Sequence, residues 1–122
     1  MIRVIVVDDH AAFRAELIAS ITLEDDISVV GEGGSGDDAV VLTGQLLPDI
    51  VLLDVNMPGG GIGRIGEILH IHPKSRVIMV SASSDPSDME NAKRAGASGY
   101  LLKGSTGSKL RDLVRSVYDG KV

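Results

Sequence analysis

Four apolar runs in this chain each deliver a residue able to do polar chemistry. "RVIVV" (3–7) runs into Asp8 and Asp9, and "DIVLLD" (49–54) ends in Asp54. "RVIMVSA" (76–82) carries Ser81, and "SGYLLK" (98–103) ends in Lys103. Adjacent carboxylates repel, and burying even one unpaired carboxylate is costly. An acid pair where a buried run stops therefore faces water or awaits a positive partner. Three carboxylates and one ammonium leave a deficit of −2, which one divalent cation closes. Ligands that are all oxygen suit Mg²⁺, which keeps several waters and binds through one or two carboxylates. The cation and Lys103 would then make an electropositive spot beside Asp54. That suits phosphoryl transfer, where charge stabilisation does most of the work. Any one of these residues has a plainer explanation. A strand-ending Asp is usually a turn residue or cap, and a Lys or Ser there is usually a solvated tip or cap. The conjunction is harder to explain by turn chemistry alone.

What must position them is an alternation of strands and helices. Strands are predicted at 3–7, 27–32, 49–54, 76–82 and 98–103. The first helix follows residue 10, with Phe13, Leu17 and Ile21 four apart. The second spans 35–47, with Ala39, Leu42 and Leu46 on one face and Pro48 ending it. "MPGGG" (57–61) is a flexible loop, and 62–72 a weak helix carrying Gly63 and Gly66. The helix at 84–96 has Asp85 as cap and Pro86 at its first position, with Asp88 three after the cap and Gly96 as stop. Its apolar face is thin, essentially Met89 and Ala92. The last helix, 108–120, places Leu110, Leu113, Val114 and Val117 together. Five strand–helix units with short links predict a parallel sheet with helices on both faces. Function in such a sheet sits at the carboxyl ends of the strands, which is where the acids, the hydroxyl and the lysine arrive.

The bulk numbers exclude other classes. A chain of 122 residues makes one domain with one core, and 2% aromatic residues mean that Val, Ile, Leu and Ala build it. A formal charge of −5 argues against tracking a nucleic-acid backbone. The absence of cysteine removes disulfides, thiolate catalysis and zinc–sulfur sites. No apolar run approaches the ~20 residues of a membrane span, and the N-terminal apolar stretch is too short for a secretory signal. A cytoplasmic location with no membrane contact is the expectation.

The blocks "VVDDH", "VLLDVNMPGG", "VIMVSA" and "GASGYLLK" resemble, in order and spacing, the signature blocks of response-regulator receiver domains of two-component signalling. The resemblance covers essentially the whole chain. "DDH" with "GASGYLLK" is similar more narrowly to the NarL/FixJ (LuxR-type) subgroup. It implies a (βα)₅ flavodoxin-like, CheY-like, doubly wound parallel five-stranded sheet over 1–122. Asp54 would accept a phosphoryl group from a sensor histidine kinase. Asp9 would bind Mg²⁺ directly, with Mn²⁺ as a substitute, and Asp8 would hold it mainly through water. Asp54 and the main-chain carbonyl of Asn56 would complete the protein ligands. Lys103 would pair with Asp54 and then with a phosphoryl oxygen. Ser81 would hydrogen-bond the phosphoryl group, and the small side chain of Ala82 would leave its pocket open. Tyr100 would be the switch aromatic, turning inward with Ser81 and changing the surface of the fourth helix, fifth strand and fifth helix. Self-phosphorylation and slow self-dephosphorylation would be its only catalysis. The resemblance also implies dimerisation on phosphorylation and a C-terminal helix-turn-helix output domain that controls transcription. This chain ends before such a domain, so DNA contact is not expected of these residues.

The chain departs from the pattern in places. Gly104 follows Lys103 where many receivers have proline, and Ala11 follows "DDH" where the subgroup often has proline. The loop "MPGGGIG" is richer in glycine than usual. His10 reads as a helix-start residue, and His70 and His72 as helix-end residues. Two other readings compete. "GEGGSG" formally matches G-x-G-x-x-G through Gly31, Gly33 and Gly36, the dinucleotide fingerprint. It follows the second strand, however, and leaves Asp8, Asp9 and Lys103 without a role; the plainer reading is a tight turn. A Mg²⁺-dependent phosphatase of haloacid-dehalogenase type wants a second Asp two residues after the nucleophile, as general acid. Asn56 stands there and has no proton to give.

Overall fold

Apolar runs too short for helices are driven into a shared sheet, since only there are their main-chain groups satisfied and both faces covered. The computed structural model describes residues 1–120 and builds five such strands. They are β1 (Ile2–Val7), β2 (Ile27–Gly33), β3 (Ile50–Asp54), β4 (Arg76–Ser81) and β5 (Gly99–Leu102). The helices are α1 (Ala11–Ile21), α2 (Gly36–Leu46), α3 (Ile65–Ile71), α4 (Pro86–Ala95) and α5 (Gly107–Tyr118). Lys121 and Val122, at the end of the expected unit, lie outside the described residues.

All strand pairs are parallel, and the order is β2-β1-β3-β4-β5. This is the doubly wound flavodoxin-like order expected. Side chains alternate across the sheet. Val4, Val6, Ile50, Leu52, Ile78 and Val80 point to one face, under Leu17 and Ile21 of α1 and Leu110, Val114 and Val117 of α5. Ile5, Val7, Val51, Leu53, Val77 and Met79 point to the other, under Ala39 of α2, Ile65 and Ile68 of α3 and Ala92 of α4. Each buried Val, Leu, Ile or Met among these contributes about 2 kcal/mol of transfer free energy, and each alanine less. Winding reverses between β1 and β3, so the crevice at their carboxyl ends is where a ligand site forms.

Local signals set the helix ends. Ser35 caps α2 by accepting from the Asp38 N–H, and Asp85 caps α4 by accepting from the Ser87 N–H. Gly96 closes α4 at φ 111°. The segment 62–72 is not one helix. A 3-10 turn (Ile62–Arg64) precedes the seven-residue α3. Two glycines, each costing about 1 kcal/mol against alanine in a helix, leave its first turn to tighten. The inward face of α4 is thinner still than expected. Ala92 is buried, but Met89 stays 43% exposed. Gly31, Gly33 and Gly36 lie at the end of edge strand β2 and just after it, and not after β1, the strand that feeds the switch point, so the dinucleotide reading has no support in the topology. A Cβ on Gly31 would lie 2.7 Å from the Leu46 side chain, and one on Gly33 2.6 Å from Asp38 Cβ. Close strand-to-helix packing explains those two glycines.

Candidate functional site

β1 and β3 are adjacent, so the acids at their ends are brought side by side. Asp8 and Asp54 are each 1% exposed, whereas Asp9 is exposed. Asp8, Asp9, His10 and Asp54 each offer a ligand atom within 4.8 Å of the others. Lys103 follows β5 and reaches across β4. Its Nζ donates to Asp54 Oδ2 at 3.2 Å and stands 3.3 Å from Asp8 Oδ2. Its ammonium also lies 4.8 Å from the centre of the Phe13 ring, a cation–π contact. Turn geometry at the strand ends supplies the remaining bonds. The His10 N–H donates to Asp8 Oδ1 at 2.8 Å, and the Asn56 N–H to Asp54 Oδ1 at 3.2 Å.

Burial pushes the Asp54 carboxyl above its ordinary pKa, helped by the charge of Asp8 and opposed by the Asn56 N–H and Lys103. Burial alone would lower Lys103, but the hydrogen bond and charge of Asp54, with Asp8 behind them, outweigh it and raise its pKa. One ammonium thus serves two buried carboxylates. Asp8 Oδ2 faces only that ammonium, at 3.3 Å and outside hydrogen-bond geometry, and is alone among the buried side-chain oxygens and nitrogens of the described residues in having no hydrogen bond. Two buried carboxylates sharing one ammonium keep an excess negative charge, which a further cation would offset. An all-oxygen acid cluster suits Mg²⁺ over softer metals, so the residues fit the ion inferred from their charge.

The sequence placed His10 at a helix start, and it does precede α1. It makes no capping bond, and its Nδ1 lies 3.2 Å from Asp9 Oδ1 and 3.4 Å from Asp8 Oδ1. His72 ends α3 and meets Ser75 Oγ at 2.7 Å, away from the acids.

Ser81 and Tyr100 belong to a second network. Ser81 is buried, and its Oγ accepts from the Ser83 N–H at 3.0 Å. The Tyr100 hydroxyl donates to the Ser83 carbonyl at 3.0 Å. Ser83 Oγ donates to Asp88 Oδ2 of α4 at 2.5 Å. Ser83 therefore joins Ser81, Tyr100 and α4 through its N–H, carbonyl and hydroxyl. Ala82, between the two serines, is exposed. Ser83 was not singled out from the sequence. A serine two residues past a strand-ending serine carries no distinctive pattern, and its role depends on the loop's path. Arg14 was missed as well. Its Nη1 donates to the Asp8 carbonyl at 2.7 Å, and its Nε to Glu32 at 3.0 Å. Its position four residues after His10, one turn into the following helix, is the only signal.

Among the described residues, no helix is long and apolar enough to cross a membrane. The arrangement offers a buried carboxylate beside an ammonium and an acid cluster suited to a cation, which equips it to stabilise a phosphoryl group. Residues 4–115 match the family described as "Response regulator receiver domain". Response regulator GacA of Pseudomonas viridiflava is 35% identical over 122 residues, covering 99% of this chain and 57% of the relative. Response regulator protein VraR of Staphylococcus epidermidis is 34% identical over 98% of this chain and 58% of its own length. The chain thus spans little more than half of these relatives. A LuxR-family two-component response regulator from Aurantimonas sp. SI85-9A1 superposes with a TM-score of 0.94 at 28% identity, covering 99% of this chain and 87% of that one. Strand order, acid crevice and matched sequence agree: the chain belongs to the response regulator receiver domain family, a signalling domain, and is similar to a LuxR-family member of it.

Proposed function

We propose that Asp54 is the phosphoacceptor of this receiver and that a phosphohistidine of a sensor histidine kinase is the donor, in the cytoplasm. The observation that carries this is the shared ammonium. Lys103 bridges Asp54 and Asp8, so one positive charge faces two buried carboxylates, and the Asp8 oxygen it faces has no hydrogen bond. An oxygen of Asp54 attacks phosphorus. The P–N bond to the donor imidazole breaks, its electron pair stays on the ring nitrogen, and an acyl phosphate remains on Asp54. Asp9 would hold Mg²⁺ or Mn²⁺ directly and Asp8 mainly through water, with Asp54 and the Asn56 carbonyl as further ligands. When bound, the cation would neutralise charge on the phosphoryl oxygens. Lys103 then pairs with a phosphoryl oxygen. The Ser81 hydroxyl donates to the new group, and Ala82 leaves room for it. As Ser81 turns, its bond from the Ser83 N–H is lost, and Tyr100, bound to the same residue, moves inward. The changed surface of α4, β5 and α5 would control transcription through a C-terminal helix-turn-helix domain of the whole protein, with dimerisation accompanying it. DNA would be contacted by that domain, since this one carries a net −5.

Incubation with Mg²⁺ and acetyl phosphate tests the reading. The expected result is one phosphoryl group per chain, retained, and none on Asp54→Ala. Label on Asp54→Ala overturns the assignment, and release of phosphate over many cycles favours the phosphatase. Asp9→Ala should lose more Mg²⁺ affinity than Asp8→Ala in calorimetric titration.

A further inference from the structure

The turn from β2 to α2 carries the glycine run that the phosphoryl chemistry leaves unused, yet it lies between the two loops that hold the acids. On one side it meets the loop after β1. The Asp8 N–H donates to the Gly33 carbonyl at 3.0 Å, and Arg14 Nη1 lies within 2.7 Å of the Asp8 carbonyl and 3.4 Å of the Gly33 carbonyl. Gly34 adjoins the main chain of Asp8 and Asp9, where a Cβ would make ordinary van der Waals contact. On the other side it meets the loop after β3. The Gly36 N–H donates to the Pro58 carbonyl at 2.9 Å. A Cβ on Gly36 would lie 2.5 Å from the Gly59 carbonyl oxygen and 2.7 Å from that of Gly60. Those distances are forbidden to any side chain, so the loop presses directly on the α2 backbone.

Arg64 fastens the same junction from outside. Its Nε donates to the Gly59 carbonyl at 2.7 Å, and its terminal nitrogens pair with Asp37 of α2 and with Glu67. A planar guanidinium holds three such partners in fixed directions, which a lysine does not. The loop so fastened begins at Asp54 and contains Asn56. We propose that the β2–α2 turn is a spacer setting the separation of the two acid-bearing loops, with Gly36 and Arg64 as positioning residues for the cation and for phosphoryl acceptance. The inference rests on the receiver chemistry proposed above. Changing a group that orients the ligands of a metal site typically costs about 10–100-fold in metal affinity.

The test measures Mg²⁺ affinity by calorimetry, the rate of Asp54 labelling by acetyl phosphate, and the melting temperature in metal-free buffer. Gly36→Ala should weaken Mg²⁺ binding about tenfold and slow labelling, and Arg64→Ala should do so by a smaller, several-fold factor. Arg64→Lys should fall between Arg64→Ala and the unaltered chain. Gly66→Ala, at a site with open space, should leave Mg²⁺ binding unchanged. Should Gly36→Ala not fold, the two Arg64 variants carry the test. Lowered melting temperatures with unchanged Mg²⁺ affinity and labelling would overturn the spacer and leave the function standing. If the unaltered chain binds Mg²⁺ but takes no label, the phosphoacceptor reading fails, and the spacer stands or falls on Mg²⁺ affinity. No Mg²⁺ binding by the unaltered chain overturns the spacer outright.

Discussion

The two flanks of the acid pocket are built from different materials. On the β2 side, glycine backbones touch carbonyl oxygens directly and a guanidinium bridges three partners. On the β4–β5 side, Ser83 joins Ser81, Tyr100 and Asp88 through single hydrogen bonds, over a helix that buries little besides Ala92. Direct backbone contact has no alternative arrangement of similar energy, because overlap of hard atoms rises steeply. A net hydrogen bond is worth only about 1 kcal/mol and can be exchanged for another partner. A site proposed to hold a cation at fixed geometry and also to report the arrival of a phosphoryl group would use both kinds of wall.

The largest effect should come from overfilling the rigid flank. A Cβ on Gly61 would lie 2.4 Å from the Asp54 carbonyl oxygen and 2.6 Å from that of Val55. Gly61→Ala should cost about 3 kcal/mol in denaturant unfolding, the upper end of the usual penalty for overpacking. A loss under about 1 kcal/mol would mean this loop yields, and the contrast between the flanks would be broken.

The next effect tests the acids between the flanks. Folding raises the pKa of Asp54, so the folded chain binds its proton more tightly than the unfolded one. Stability of the metal-free protein from this group is therefore greatest below the ordinary carboxylate pKa of 3.8 and falls as pH rises through the raised value. Asp54→Asn removes that slope. Without metal it should melt higher than the unaltered chain near neutral pH, and the gap should close on acidification. An equal or lower melting temperature at neutrality would show that the pairing with Lys103 already satisfies Asp54.

The smallest effect belongs to the β4–β5 flank. Tyr100→Phe deletes the hydrogen bond to the Ser83 carbonyl and should cost about 1 kcal/mol or less. Amide exchange should quicken in the first turn of α4, with Mg²⁺ affinity unchanged. A fall in Mg²⁺ affinity matching that of Gly36→Ala would show that the flanks are coupled in the resting state.

Legibility in the sequence divides along the same line. Asp8, Asp54 and Lys103 were readable because an apolar run announces a strand and its last residue announces the site edge. The sheet was readable for the same reason. Tyr100 and Ser81 could be named, but not Ser83 between them, since loop paths follow from packing that no periodicity records. Gly36 was visible as part of a motif with a different meaning, because a glycine that avoids a carbonyl looks like one that cradles a phosphate. Met89 was assigned inward by its spacing. A helix with so few apolar residues is oriented by its caps and neighbours instead.

The single phenylalanine of this chain, Phe13, is the residue over which the Lys103 ammonium rests. Ring nuclei respond to a charge over their face. Biosynthetic incorporation of fluorophenylalanine would therefore place one fluorine signal beside the ammonium that, on the proposed function, trades a carboxylate for a phosphoryl oxygen, and the fraction of molecules in each condition would become a ratio of two peaks.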